Sequence, residues 1–132
     1  MEAQYIAENV LAKNPGKVYN LVSLKAFIDW NFRYDPFIEE IEKLGYADQI
    51  NVLDVKEGSF SMEKATTLME DWLQAYDNID FIFAENDEMA VGAINVLKGA
   101  GKNPGDYIIV GCNADDIGIE AVADGDMTIT CY

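Results

Sequence analysis

Residues Ile79 to Gly101, IDFIFAENDEMAVGAINVLKGAG, decide the fold of this chain. Ile79, Phe81, Ile82, Phe83 and Ala84 make a short apolar run with the length and composition of a strand covered on both faces, as in parallel sheets. A helix follows at once. Asn86 is a good N-cap, Asp87 and Glu88 put negative charge in the first turn where the helix dipole favours it, and Met89, Ala90, Ala93, Ile94 and Leu97 recur at helical spacing. Gly99 and Gly101 stop it.

The same unit of strand, polar turn and helix recurs on both sides. Ile6, Ala7, Val10 and Leu11 form one face of an opening helix that Asn14-Pro15-Gly16 ends. Lys17 to Ser23, KVYNLVS, reads as the first strand. The next segment, LKAFIDWNFRYD, is neither clearly helix nor clearly strand, and it is rich in groups that bind things. Asp35-Pro36 reads as the cap and first residue of a helix that buries Phe37, Ile38, Ile41 and Leu44 and closes at Gly45. A second strand runs through Ile50, Val52, Leu53 and Val55. Ser61 caps the helix after it, whose Met62, Ala65, Met69, Trp72, Leu73 and Tyr76 lie on one stripe that reads as core. Beyond the central unit, Asn103-Pro104-Gly105 is a turn, Tyr107 to Gly111 a fourth strand, and Ile117 to Ala123 a short helix ended by Gly125. Met127 to Tyr132 is a fifth strand. Alternation at every step, with no hairpin signal, predicts an α/β three-layer domain with a parallel sheet and right-handed crossovers.

Composition narrows the function. A length of 132 residues suits one domain, and half the residues are hydrophobic, which argues against disorder. The formal net charge of −15 would repel a phosphate backbone, so nucleic acid is not an expected partner. With no His and only Cys112 and Cys131, the chain can assemble neither a Cys/His zinc cluster nor a His-based triad. Both cysteines fall at strand ends, where neighbouring parallel strands rarely present disulfide geometry, and free thiols are expected. No apolar run approaches the roughly 20 residues that span a bilayer. The acidic start reads as an amphipathic helix, and any export signal is expected to lie outside this chain.

In an open parallel sheet, ligands bind in the crevice at the carboxyl ends of the strands. That rule selects Trp30 to Arg33 after the first strand, Ser59 and Phe60 after the second, Glu85 to Glu88 after the third, Asn113 to Asp116 after the fourth, and Tyr132 after the fifth. Rings, planar amides and a guanidinium suit a polyhydroxylated ligand, whose C–H face stacks while its hydroxyls need paired donors and acceptors. Taken singly, each has a plainer reading: Asn86 as a helix cap, Arg33 as a surface ion-pair partner, Phe60 as core, Trp30 as the edge of the core.

The string AENDEMAVGAINVLKGAG resembles the Q-N-D-E-M-A-x-G-A-x-x-A-L-x-x-A-G segment of the sugar-type periplasmic binding proteins and of the ligand-binding lobes of related bacterial repressors. Arg33-Tyr34-Asp35-Pro36-Phe37 is similar to that family's Arg-x-x-Gly-Phe, Gly111-Cys112-Asn113-Ala114 to its Gly-Phe-Asp-Gly, and Ala123 to Thr130 to its Ile-x-Asp-Gly-x-x-x-Ala-Thr. The resemblance implies a flavodoxin-like single lobe over residues 1–132, matching the family's C-terminal lobe, with strand order 2-1-3-4-5. It implies that Arg33 clamps a sugar, Phe60 forms a stacking wall, Asn86 hydrogen-bonds the ligand and Asn113 stands where an Asp usually accepts hydroxyls, with Trp30 and Tyr132 at the rim. Three departures stand out. Pro36 replaces a Gly and predicts a later helix start. Asn113 loses an anionic acceptor and gains a donor. Cys112 replaces an aromatic residue.

The resemblance further implies a non-enzymatic binding module without metal or cofactor. It would serve an ABC importer in the periplasm, or outside the cell on a membrane anchor, and would bind a sugar or polyol. Its other partners would be a permease and an N-terminal lobe not present in the chain, with self-association possible through the exposed lobe face. Two other readings use the same fold: the effector lobe of a transcription regulator, and a flavodoxin-like enzyme or phosphoacceptor domain. Against the latter, no Gly-rich phosphate loop follows the first strand and no nucleophile has a base beside it.

Overall fold

A computed structural model describes residues 1–131. The chain opens with helix α1 (Glu2–Ile6), which widens into a π-helical turn over Ala7–Leu11. Then β1 (Tyr19–Lys25), α2 (Tyr34–Lys43), β2 (Ile50–Glu57), α3 (Met62–Ala75), β3 (Phe81–Ala84), α4 (Asp87–Gly99), β4 (Ile108–Cys112), α5 (Asp116–Ala123) and β5 (Ile129–Cys131) alternate without a break. The five strands form one sheet in the order β2-β1-β3-β4-β5, and every pairing is parallel. Both the class and the expected order hold.

Period two sorts the strand side chains between two cores. Val22, Leu24, Ile82, Ala84 and Ile109 face α3 and α4, where Met69, Trp72, Met89, Ala93 and Leu97 are buried. Leu21, Phe81, Phe83, Val110 and Cys112 face α1 and α2, against Ile6, Leu11, Phe37 and Ile41. Of the expected α3 stripe, Ala65, Met69 and Trp72 are buried core and Leu73 and Tyr76 pack against it, whereas Met62 is half-buried outside it; Trp72 also donates its indole N–H to Asp54 Oδ2 at 2.9 Å. Because β3 is covered on both faces, truncating one of its rings is costly: Phe83→Ala removes about 3–5 kcal/mol. Among the described residues no helix is long and apolar enough to cross a membrane.

Element ends differ from expectation by a residue or two, and one difference bears on function. β1 continues through Leu24 and Lys25, β4 begins at Ile108 and ends at Cys112, α5 begins at Asp116, and β5 begins at Ile129 rather than Met127. Helix α2 starts earlier than Asp35-Pro36, not later: Arg33 is its N-cap and Tyr34 its first residue. Pro36 falls within the first turn, where a missing N–H forfeits no hydrogen bond. The N–H groups of Arg33 and Tyr34 meet a carboxylate supplied by another strand, which holds the earlier start.

Candidate functional site

All five strands run the same way, so their carboxyl ends lie along one edge of the sheet. Four residues beyond those ends take left-handed backbone without being glycine: Ser59 (φ 55°), Phe60 (φ 58°), Asn113 (φ 96°) and Ala114 (φ 53°). Each costs about 1–3 kcal/mol and persists only where its surroundings hold it. The restraints are visible. Gly58 N–H donates to Lys25 O at 2.6 Å and Ser59 N–H to Ala26 O at 2.9 Å, while Asn113 N–H donates to Cys131 O at 2.7 Å and Ala114 N–H to Thr130 Oγ1 at 3.1 Å.

After β1 the chain forms a loop from Ala26 to Arg33, and buried carboxylates fasten it. Glu85, fully buried just past β3, accepts Ala26 N–H on Oε1 (2.6 Å) and the N–H groups of Arg33 and Tyr34 on Oε2 (2.9 Å each). Glu57 Oε1 accepts Ile28 N–H at 2.9 Å. Lys25, itself buried, donates to Ile28 O at 3.0 Å and pairs with Asp35 at 2.8 Å. On this frame stands an aromatic cluster. Ring centroids lie 4.5 Å apart for Phe27 and Trp30, 5.8 Å for Phe27 and Phe60, 6.0 Å for Phe32 and Phe60, and 6.3 Å for Trp30 and Phe32. Tilted and edge-on contacts of this kind suit the ring quadrupoles.

The expected residues divide as follows. Phe60 is half-buried: one side packs against the core and its ring joins the cluster. Trp30 is 51% exposed at the rim. The Arg33 guanidinium sits 4.9 Å from the Phe32 ring centroid, and among the described residues no carboxylate lies within ion-pair distance of it. Asn86 is the α4 cap, with Oδ1 accepting Met89 N–H at 3.0 Å, and it also reaches the loop after β2, with Nδ2 3.4 Å from Phe60 O. The cap reading and the site reading of Asn86 are therefore compatible, since its amide keeps a donor and an acceptor position to spare. Asn113 shares the edge but makes no hydrogen bond with Asn86. Tyr132 lies outside the described residues. Next to Arg33 a cleft of about 460 Å³ opens, lined by Glu2, Phe32, Pro36, Glu40 and Cys131 among others.

Asp87 links the loops after β3 and β4. Fully buried, it accepts Asp115 N–H on Oδ2 at 2.7 Å and the Thr130 hydroxyl on Oδ1 at 2.6 Å. Burial raises its pKa, and those hydrogen bonds and the Arg33 charge only partly offset the rise. Gly111 and Gly118 leave room for it: a Cβ on either would collide with its carboxylate. Cys112 and Cys131 are free thiols, as expected, although they are register partners across β4 and β5.

The sequence places Glu85, Asp87 and Phe32 within the candidate segments but does not show their roles: Glu57, Glu85 and Asp87 accept backbone N–H groups, and Asp87 also the Thr130 hydroxyl, far away in sequence, while Phe27 falls outside those segments. One signal was readable. Glu85 stands where the Q-N-D-E-M motif has its Gln, a carboxylate in place of an amide at a strand end.

An open parallel sheet with strained, anchored loops and an aromatic cluster at its carboxyl edge defines an α/β ligand-binding lobe. The description "Periplasmic binding protein domain" belongs to a family whose model matches residues 1–132, and the chain belongs to that family. It is 30% identical over 125 residues to the ribose import binding protein RbsB of Salmonella typhimurium, covering 95% of this chain and 41% of that protein. Among solved structures it is similar to one from Mycobacterium smegmatis in complex with β-D-fucofuranose (TM-score 0.80, 28% identity, 95% of this chain and 41% of that one). A second is an ABC transporter solute binding protein from Bacillus halodurans with bound myo-inositol (TM-score 0.78, 27% identity, 97% and 42%). The chain thus spans about two fifths of the length of the relatives it matches.

Proposed function

We propose that the chain is the C-terminal lobe of the substrate-binding component of an ABC importer, and that it takes a pentose, hexose or related polyol at the carboxyl edge of its sheet. One observation carries this reading: Arg33, Phe60, Asn86 and Asn113, each drawn from a different strand end, share that single edge, with the first three linked through ring contacts and the Phe60 carbonyl. Phe60 and Trp30 offer ring faces to the C–H side of a sugar, the Arg33 guanidinium two parallel donors, and the amides of Asn86 and Asn113 both donors and acceptors. Relatives named for ribose, fucofuranose and myo-inositol support a polyhydroxylated ligand. None of these groups forms a nucleophile and base pair, which fits binding without catalysis.

In the whole protein, periplasmic or held outside the cell on a membrane anchor, a second lobe would close over this one by hinge motion, and a permease would receive the ligand. A closed site of micromolar affinity corresponds to about 8 kcal/mol, and a lobe holding roughly half the contacts retains near-millimolar affinity. Calorimetry and NMR titration of the chain with ribose, galactose, allose and myo-inositol test the reading. Saturable shifts at residues of the carboxyl edge are expected; no response to any of these up to tens of millimolar would sink it.

A further inference from the structure

We infer that the loop from Ala26 to Arg33 is a preformed apolar arm that selects, within the sugar site proposed above and resting on that reading, ligands presenting a methyl group where a common sugar carries a hydroxymethyl. The loop exposes Ile28 (46%), Trp30 (51%) and Phe32 (38%) at every second position. One exposed apolar side chain is ordinary, whereas three together on one short loop mark a contact surface. Asp29 and Asn31 lie between them in sequence and are exposed to water.

The arm is held rather than loose. Glu85 fixes both of its ends, Glu57 and Lys25 fix Ile28 by its N–H and its carbonyl, and Trp30 N–H donates to Phe27 O at 3.1 Å. Phe27 and Phe60 brace the rings from beneath. Order that is already established in the free protein is not charged against binding, so an apolar contact made here is realised nearly in full.

The polar chemistry around the arm points the same way. Three carboxylates bordering these rings already accept hydrogen bonds, Glu57 from Ile28 N–H, Asp35 from Lys25 and Glu85 from three N–H groups, while the polar side chains of the arm itself, Asp29 and Asn31, free among the described residues, alternate with its apolar ones. A hydroxyl pressed on the ring faces of Trp30 and Phe32 exchanges water for apolar surface, whereas a methyl gains by leaving water. Arg33, stacked on Phe32 and with no carboxylate at ion-pair distance among the described residues, stands at the end of the arm to meet the ring hydroxyls. The arm thus sorts ligands by one edge and leaves the rest of the sugar to Arg33, Asn86 and Asn113.

NMR titration of the chain with matched pairs tests this: D-fucose against D-galactose, and L-rhamnose against L-mannose, each pair differing by one hydroxyl at C6. The deoxy member is expected to bind about fourfold more tightly, the low end of what burying a poorly paired hydroxyl costs. Trp30→Ala and Phe32→Ala, both at exposed positions, should each bring that ratio toward one, and Trp30→Phe should keep most of it. Equal affinities within the pairs, or a preference unchanged in Trp30→Ala, overturns the arm while leaving the sugar site standing. Silence from all four sugars and from ribose and myo-inositol overturns the site reading and the arm with it.

Discussion

Glu85 and Arg33 are joined at the backbone: a fully buried carboxylate at the end of β3 accepts the N–H of the residue that begins α2, at 2.9 Å. The same oxygen accepts Tyr34 N–H, so the anion sits at a helix N-terminus, where the dipole favours it. Arg33 caps α2 by position but makes no side-chain cap hydrogen bond, and Glu85 supplies from another strand what the local sequence lacks. Glu85→Ala strands three buried donors and is expected to cost about 3–5 kcal/mol, whereas Glu85→Gln, which keeps one acceptor oxygen, costs about 1–2 kcal/mol. Urea unfolding reads both; a loss under 1 kcal/mol in the alanine variant would remove the clamp from the account.

Asp87 makes stability depend on pH in a direction opposite to most carboxylates. Its pKa is raised by burial above the ordinary 3.8, so the folded chain holds the proton more tightly than the unfolded chain does. Its contribution is fully present below the unfolded value and is lost as pH rises through the folded one. The stability of the native chain relative to Asp87→Asn should therefore shrink between pH 4 and pH 7. Urea midpoints for the two proteins across that range give the sign directly, and an advantage that grows with pH would mean that the Asp115 and Thr130 hydrogen bonds outweigh burial.

Gly118 and Gly99 make a matched pair, since both lie in helices and only one is crowded. A Cβ on Gly118 would collide with the Asp87 carboxylate, while one on Gly99 would meet nothing within 4 Å. Gly99→Ala should stabilise by about 0.5–1 kcal/mol through helix propensity alone. Gly118→Ala gains the same term and loses more by displacing a buried, hydrogen-bonded anion, for a net loss of about 1–3 kcal/mol. Thermal unfolding of the two variants should move in opposite directions.

The two thiols should differ in reactivity. Burial, with the Glu2 charge beside it, pushes the Cys112 thiol far above its ordinary pKa, and Cys131 is raised less, again chiefly by burial. Thiolate is the reactive form. At pH 8 a disulfide-exchange reagent should titrate Cys131 slowly and Cys112 hardly at all in the folded chain, then both at once in denaturant. Only one or no thiol in denaturant would mean that the free state is wrong.

Among the described residues β5 pairs only with β4 and forms one edge of the sheet. Beside it Ile117, Ile119 and Val122 are exposed, and Ile119 and Val122 line a groove of about 330 Å³ with Tyr5 and Ile129. Such an edge invites pairing with a second copy. Light scattering should show concentration-dependent association that Ile119→Lys suppresses; an unchanged profile would locate the contact elsewhere.

What could be read from residues alone follows how local each pattern is. The β3 run and the Asn86 cap are legible because strand, cap and first turn lie within a dozen residues, and the parallel order follows from alternation together with a long motif resemblance. The clamping role of Glu85 escapes because its partners at Arg33 and Ala26 are 52 and 59 residues away and are backbone groups, which have no side-chain signature. The early start of α2 escapes for the same reason: Pro36 discourages helix at Asp35 locally, and the opposing term is supplied by an anion from β3. The aromatic cluster was half visible. Trp30 and Phe60 were chosen for lying after strands, but that Phe27 and Phe32 complete the wall depends on how the clamp folds the loop.

Both ends of the Ala26 to Arg33 segment rest on one side chain, which makes the stretch between them an exchangeable cassette. Its side chains can vary while Ala26 and Arg33 stay seated, because the bonds that hold the segment, at Ala26, Ile28 and Arg33, are all made by backbone groups. A lobe built this way can acquire a new ligand preference by changing side chains among six residues, with Phe60 the one neighbour across the crevice that must repack if Phe27 or Phe32 is replaced.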